Sequence, residues 1–244
     1  MGLGDWIMAT AQVRQLHQAT GKQVVVMDLR GRAQWSPVFE YNPIITRETR
    51  GAATLLNASG VRPYISGKTA ERWVWRHWNI EPGSLYLHRD ELAKAAPFAG
   101  KVLIEPNTKV VGGNKAWPFE RWQQLVDRDP GRYIQVGSLE SKRLRGVEFK
   151  ETAFREALAI LTSSIGFVGG EGALHHAAAA LSIPSVVLWS EFISPEFTGY
   201  QNQRNIRHAT GWCGNRQACA GCKAAMLAIT VDEVHAALHQ EVFS

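Results

Sequence analysis

Apolar residues in this chain fall into two kinds of pattern. Short, nearly unbroken runs predict strands buried on both faces: Val102-Leu-Ile-Glu105, the stretch from Tyr133 into a Gly137-Ser138 turn, Ile165 with Phe167 and Val168, and Ser185-Val-Val-Leu-Trp189. Between them lie helical stretches. One is entered through Pro118 and runs past Gln123, Leu125 and Val126, and one from Ala173 to Leu181 is rich in strong helix formers. From residue 100 onward the alternation is that of βαβ units, which implies an α/β fold with a parallel sheet.

Upstream the pattern is less regular. Ile7, Ala11, Val13 or Arg14 and Leu16 space as one face of a helix over 5–19, and Val24–Met27 reads as a strand. A second strand is expected around Val38–Glu40, a helical stretch from Thr49 to Ala58, and a tryptophan-rich helix from Thr69 to Trp78. On such a helix Trp75 and Trp78 share a face while Trp73 points elsewhere. A domain boundary is expected near Ala99-Gly100, giving a first lobe of 1–99 and a second of 100–244.

The glycine pattern adds chemistry. In Phe167-Val-Gly-Gly-Glu-Gly-Ala173, the residues Gly169, Gly170 and Gly172 are expected to make tight turns between a strand and a helix. The free N–H groups and dipole of that helix start then face an anion such as a phosphate, with Glu171 and Ala173 in the turn. Tight packing of strand on helix is the plain alternative. At the other end, Asp5 in Gly2-Leu-Gly-Asp-Trp stands at a helix start, as an N-cap or as a carboxylate at the lip of a cleft. Gly2-x-Gly4 lacks the third glycine of a dinucleotide fingerprint. Lys115 lies in a glycine-containing loop, where it can meet a phosphate or the ring of Trp117.

Charge narrows the class of partner. Of the net +5, residues 1–100 carry twelve Lys/Arg against eight Asp/Glu, leaving fifteen against fourteen in the remainder. Arg47, Arg50, Arg62, Lys68, Arg72 and Arg76, interleaved with Trp73, Trp75 and Trp78, suit an acidic glycan or glycolipid, or nucleic acid. Of these, Arg72 and Arg76 are the expected acceptor contacts. A packed tryptophan helix with solvated arginines explains the same residues. No apolar run approaches the ~18 residues of a transmembrane helix, and no signal peptide precedes Gly2. The expectation is a cytoplasmic protein that can touch a membrane surface peripherally. Cys213, Cys219 and Cys222, with His208 upstream, offer a soft ligand set for Zn²⁺ or iron, or three free thiols.

Taken in order, GLGDWIMAT, KAWPFERW, VGSLE, GGEGALHHAAAALSIP and the tail CKAAMLAITVDEV resemble glycosyltransferase family 9, the heptosyltransferases. The resemblance spans nearly the whole chain and implies two Rossmann-like lobes in a GT-B arrangement, the N-terminal lobe shortened. It implies inverting transfer from a nucleotide sugar, ADP-heptose being the expected donor, without an obligatory metal. Asp5 matches the family's general base and Lys115 its lysine near the donor phosphates. Thr108 matches a hydroxyl residue of the same loop, Glu140 lies in the region that grips the ribose, and His176 matches the histidine of D-[ST]-G-x-x-H-x-A. The acceptor implied is a hydroxyl of an acidic sugar such as a lipopolysaccharide core; modified DNA, a protein hydroxyl, or loss of catalysis in a nucleotide-sugar binding module are the alternatives. Three residues depart from the family pattern: Glu171 for aspartate, Gly172 for serine or threonine, and Ala173 for glycine. The family's leading strand is also expected to be missing before Gly2.

Overall fold

The computed structural model describes residues 2–56, 62–108 and 113–243. Its elements, in order, are α1 (Leu3–Thr20), β1 (Val24–Met27), β2 (Ala53–Leu56), β3 (Ile65–Lys68), β4 (Trp73–Trp75), α2 (Arg89–Ala95), β5 (Val102–Glu105), α3 (Phe119–Arg128), β6 (Tyr133–Gly137), β7 (Glu148–Glu151), α4 (Phe154–Ser163), β8 (Gly166–Gly170), α5 (Ala173–Ala180), β9 (Ser185–Trp189), α6 (Pro195–Thr198), β10 (Arg204–Arg207), α7 (Ala220–Ala228) and α8 (Val231–Glu241).

Six strands form one parallel sheet in the order β10-β9-β8-β5-β6-β7. The chain therefore winds outward in both directions from the β5/β8 pair. Such a reversal opens a crevice at the carboxyl ends of the strands, where ligands bind in open α/β sheets. Alternate side chains serve opposite faces: Leu103 joins Phe167 and the helices α1, α4 and α5, while Val102 and Ile104 join Trp122, Leu125, Met226 and Leu238 from α3, α7 and α8. The loop 138–147 connects β6 to β7 directly, so this one step departs from the expected strand–helix alternation.

The first ninety-odd residues differ from expectation in three places. Around Val38 the chain forms a 3₁₀ turn, Pro37–Phe39, rather than a strand; Pro37 presets φ at its start and the Ser36 hydroxyl accepts from the Val38 N–H at 3.3 Å. Within Thr49–Ala58, residues 53–56 are β2, parallel to β1, rather than helix; 57 and 58 lie outside the described residues. Thr69 to Trp78 holds no helix but the turn and second strand of an antiparallel hairpin, β3 with β4. The Thr69 hydroxyl accepts from the N–H groups of Glu71 and Arg72 and closes the turn, and aromatic and β-branched residues favour the pleated alternative. Period two then puts Trp73 and Trp75 on one side, stacked with centroids 6.5 Å apart, where a helix would have separated them.

The helix α1 docks on α5 and α2 on α4. Core side chains from both sides of position 99, Ile7, Val13 and Val24 with Leu103, Ile134 and Phe167, pack into one continuous cluster. The hairpin is tied to the second half by two indole donors, Trp75 to the Phe192 carbonyl at 3.0 Å and Trp78 to the Phe197 carbonyl at 2.7 Å.

Candidate active site

The carboxyl ends of β5 and β8 lie in register, Glu105 opposite Gly169, so two carboxylates, Glu105 and Glu171, meet at the crevice. The glycines here act differently from the turn role expected of them. Gly169 and Gly170 belong to β8, and Gly172 has extended backbone (φ −179°) as the N-cap of α5. A Cβ on Gly169 would stand 2.5 Å from Phe167 Cζ and 3.2 Å from Glu105 Cβ, so close approach, not a turn, demands glycine there. On Gly170 it would lie 3.5 Å from the Lys115 carbonyl and 4.0 Å from Thr108 Cγ2, which places these two residues against the end of β8.

Lys115 pairs with Glu171, whose side chain is only 11% exposed. Its ammonium also lies 5.1 Å from the ring of Phe192. Trp117, the ring expected to meet it, is instead buried in the core and donates to the Ile229 carbonyl at 3.0 Å. His176 Nε2 is 3.8 Å from the other Glu171 oxygen, and its Nδ1 is 2.8 Å from the Tyr200 hydroxyl. His175 turns back on the helix start, its Nδ1 accepting from the Gly172 N–H at 2.9 Å, with Nε2 3.0 Å from the Thr198 carbonyl.

Burial sets the protonation of this group. It pushes Glu105, with the neighbouring Glu171 charge, up to about 8, so Glu105 holds a proton at neutral pH. Burial raises Glu171 as well, but Lys115, His175 and Arg62 together outweigh it and keep Glu171 below the usual carboxylate range. Burial also lowers both histidines, which are neutral. The crevice thus holds one acid, one carboxylate, one ammonium and two neutral imidazoles.

Across from it stands the start of α1. Gly2, not Asp5, is the N-cap; Asp5 lies in the first turn and its Oδ2 accepts from the Gly2 N–H at 3.0 Å. Arg62 Nε lies 3.0 Å from the same oxygen, and the Tyr64 hydroxyl donates to Oδ1 at 2.7 Å. Burial and then Asp5 raise Tyr64, which keeps its proton for that bond. Oδ1 accepts one bond and retains a lone pair. A Cβ on Gly4 would stand 2.6 Å from His176 Cδ2, so α1 touches α5 through a glycine and brings Asp5 to the rim of the Glu171 crevice. Arg62 joins the two sides: it pairs with Asp5, and its charge also reaches Glu171.

The remaining candidates are spread more widely. Gly137 ends β6, where a Cβ would meet Ser141 Oγ at 2.4 Å; Ser138 and Glu140 follow, both exposed, on the same edge of the sheet two strands from Gly170. Neighbouring strands are about 4.8 Å apart, so Glu140 stands roughly 10 Å along that edge. A cavity of about 630 Å³ opens beside Thr108, lined by Asn107, Trp117, Phe119, Lys142 and Lys223. Arg72 and Arg76 are exposed; Arg76 donates to the Pro63 carbonyl at 2.7 Å. Arg62, Lys68 and Arg216 surround the Trp73 ring at 5.4, 5.1 and 5.9 Å, and of these Arg62 pairs with Asp5.

The three cysteine sulfurs lie within 4.8 Å of one another, and Cys213 and Cys222 are 3.3 Å apart. Their donor set suits Zn²⁺ or iron. His208 is not part of that group, since its Nε2 lies 2.8 Å from Glu233 Oε2. Residues missed from the sequence are Glu105, His175, Tyr64 and Tyr200. Only Glu105 carried a signal, as a carboxylate closing a predicted buried strand at a sheet's carboxyl edge.

No helix among the described residues is long and apolar enough to cross a membrane. Neither a protein-family model nor a curated protein sequence matches the chain. Solved structures do. The glycosyl transferase family 9 protein of Veillonella parvula matches over 100% of this chain and 95% of its own, with a TM-score of 0.69 at 14% identity. The ADP-heptose lps heptosyltransferase II of E. coli matches with a TM-score of 0.54 at 18% identity, over 68% of this chain and 55% of that one. The chain therefore spans little more than half of the second relative. What it shares with both is the α/β fold.

Proposed function

We propose that the chain is an inverting glycosyltransferase of heptosyltransferase type, taking its sugar from a nucleotide sugar, ADP-heptose, and passing it to a hydroxyl of an acidic acceptor such as a lipopolysaccharide core sugar. The observation that carries the reading is the convergence of Asp5 and the Lys115–Glu171 pair on opposite sides of one crevice, joined through Arg62 and the Gly4–His176 contact. In this reading residues 1–99 present the acceptor and 100–244 hold the donor.

A sugar hydroxyl becomes a competent nucleophile when a carboxylate takes its proton as the new bond forms. Asp5 Oδ1 has the free lone pair for that proton, while Tyr64 and Arg62 fix its orientation. The acceptor oxygen bonds to the anomeric carbon as the anomeric C–O bond to phosphate breaks on the far side, which inverts the centre. The electron pair of the broken bond leaves on the nucleoside diphosphate. Lys115 and the N–H groups at the start of α5 meet the developing charge, so the step has its counter-charge without a metal. Thr108 and the Gly169–Ala173 segment contact the diphosphate, and Gly137, Ser138 and Glu140 sit where the ribose end of an extended nucleotide would reach. The cations around Trp73 favour an anionic acceptor. Zn²⁺ or iron at Cys213, Cys219 and Cys222 would brace the loop before α7 rather than enter the reaction.

The test is a thermal-shift panel of ADP-, UDP-, GDP- and TDP-linked ligands, since a ligand that binds only the folded chain raises its midpoint by mass action. Stabilisation by ADP or an ADP-sugar is expected. An unmoved midpoint with every nucleotide at millimolar concentration would overturn the donor site.

A further inference from the structure

A second group of ligating side chains lies away from this crevice. Asp129 follows α3 and precedes β6, so it sits at the amino-terminal edge of the sheet, opposite the edge that carries Glu105 and Glu171. There it meets α8, whose buried side, Val234, Ala237 and Leu238, packs into the core and whose outer side carries His235 and His239 one turn apart. Both imidazoles aim at one atom. His235 Nε2 is 3.0 Å and His239 Nε2 3.7 Å from Asp129 Oδ2, and the three ligand atoms lie within 4.8 Å of one another.

The distances and the hydrogen bonding both bear on what this group does. Asp129 Oδ2 is buried and has no hydrogen bond of good geometry, although two ring nitrogens face it. Leaving a buried carboxylate oxygen unsatisfied costs folding free energy. A cation placed between the three atoms removes that cost. Ligands bound tetrahedrally at about 2.0–2.1 Å stand roughly 3.3 Å from each other, close to the spacing found here. Two imidazoles and one carboxylate, with the fourth position open, form a three-ligand zinc arrangement. The histidines are 27% and 46% exposed, so an ion has a way in and water can complete its shell. The i and i+4 spacing on a helix also holds the two rings on one side before any ion arrives.

We infer that Asp129, His235 and His239 form a binding site for a divalent transition-metal ion, Zn²⁺ by chemical preference, that clips the end of α3 to α8. Its place on the far edge of the sheet makes it a structural site, independent of the proposed transfer reaction. The test is equilibrium dialysis of the full chain against ZnCl₂, comparing the native protein with a His235→Ala/His239→Ala double variant and with Asp129→Asn. The native chain is expected to retain a single zinc equivalent more than the double variant, whatever the cysteine cluster contributes to both, and Asp129→Asn to bind more weakly. Zn²⁺ should raise the thermal midpoint of the native chain by more than that of the double variant. Equal zinc retention by the native chain and the folded double variant would overturn the site. A measurement without mutation reads the same atoms: Zn²⁺ should protect His235 and His239 from diethyl pyrocarbonate, mapped by mass spectrometry. Modification undiminished by saturating Zn²⁺ would equally overturn it.

Discussion

The two halves of this molecule make their contributions to the crevice by different means. Beyond residue 100, the parallel sheet presents backbone and side chains at strand ends, and the position of each group follows from strand order: Glu105 from β5, Gly170 to Gly172 from β8, Glu140 after β6. Before residue 100, no sheet among the described residues frames the site in this way. Asp5 is carried by a helix that leans on α5, and the groups that orient it, Arg62 and Tyr64, come from a segment leading into a two-stranded hairpin. Under the proposed function, the donor side is the one held by a fold-wide sheet and the acceptor side the one held by a few side-chain bonds. Substitutions should separate accordingly, with changes before residue 100 striking transfer and changes beyond it striking nucleotide binding.

The largest effect is expected from Asp5→Asn. The amide oxygen can still accept from Tyr64 or from Gly2, one of the two, but cannot take the acceptor proton, so transfer should fall on the order of 100-fold or more while nucleotide affinity stays put. Single-turnover transfer alongside nucleotide titration checks it. Transfer at the parent rate would leave Asp5 as a helix-capping carboxylate only.

The same contrast explains what was legible in the sequence. Strands buried on both faces must be apolar throughout, and β5 and β9 announced themselves as such runs. The short strands β2 to β4 alternate half-buried and exposed positions, and four residues of alternation are too few to distinguish a period of 2.0 from 3.6. That is why β2 and the Trp73–Trp75 strand read as helix. Asp5, Lys115 and His176 were legible through motif order. Tyr64 and Arg62 were not, because their role exists only once the chain has brought them 57 to 59 positions back onto Asp5. Glu171 was noticed as a departure, but its pairing with Lys115 follows from burial, which the sequence does not display.

That pairing offers the second prediction. Losing a charge-assisted contact costs about 1.5–3 kcal/mol, so Lys115→Ala should weaken nucleoside diphosphate binding roughly 10- to 100-fold. Glu171→Gln should do the reverse, because it releases an ammonium that the carboxylate otherwise holds. Titration of ADP into both variants decides: weaker binding by the glutamine variant would mean that Glu171 serves the ligand directly and not as its competitor.

A third effect is in stability against pH. Depressed His175 and His176 stay neutral when folded but take protons once unfolded, so the folded chain loses stability as pH falls below about 6.5. Glu105 behaves oppositely. Raised to about 8, it keeps a proton that the unfolded chain has released, so stability declines as pH rises from the ordinary carboxylate range toward 8. Each tenfold difference in proton affinity is worth about 1.4 kcal/mol. Glu105→Gln should therefore flatten the alkaline side of the profile, and urea titrations between pH 5 and 9 would show it; an unchanged slope would mean that Glu105 is ionised when folded.

The smallest effect concerns which cations meet the acceptor. Arg72 and Arg76 lie on the hairpin, exposed, and Arg76 is spent partly on the Pro63 carbonyl. Lys68 and Arg216 stand with Arg62 around Trp73, and Arg62 itself reaches Asp5. Exposed charges act weakly at physiological salt, typically by less than about 1 kcal/mol each, so reversal should raise the acceptor KM only a few-fold and leave the donor constant alone. If Arg72→Glu/Arg76→Glu and Lys68→Glu both raise KM, the acceptor spans the whole hairpin. If only Lys68→Glu does, the acceptor lies along the Trp73 ring, and Arg72 and Arg76 are solvated surface. A DNA acceptor would add a steep salt dependence, because each phosphate contact releases counterions. Gel shifts at low and moderate salt separate that case: absence of binding at low salt removes nucleic acid, whereas tight salt-sensitive binding would displace the glycolipid and reassign the same cations to phosphates.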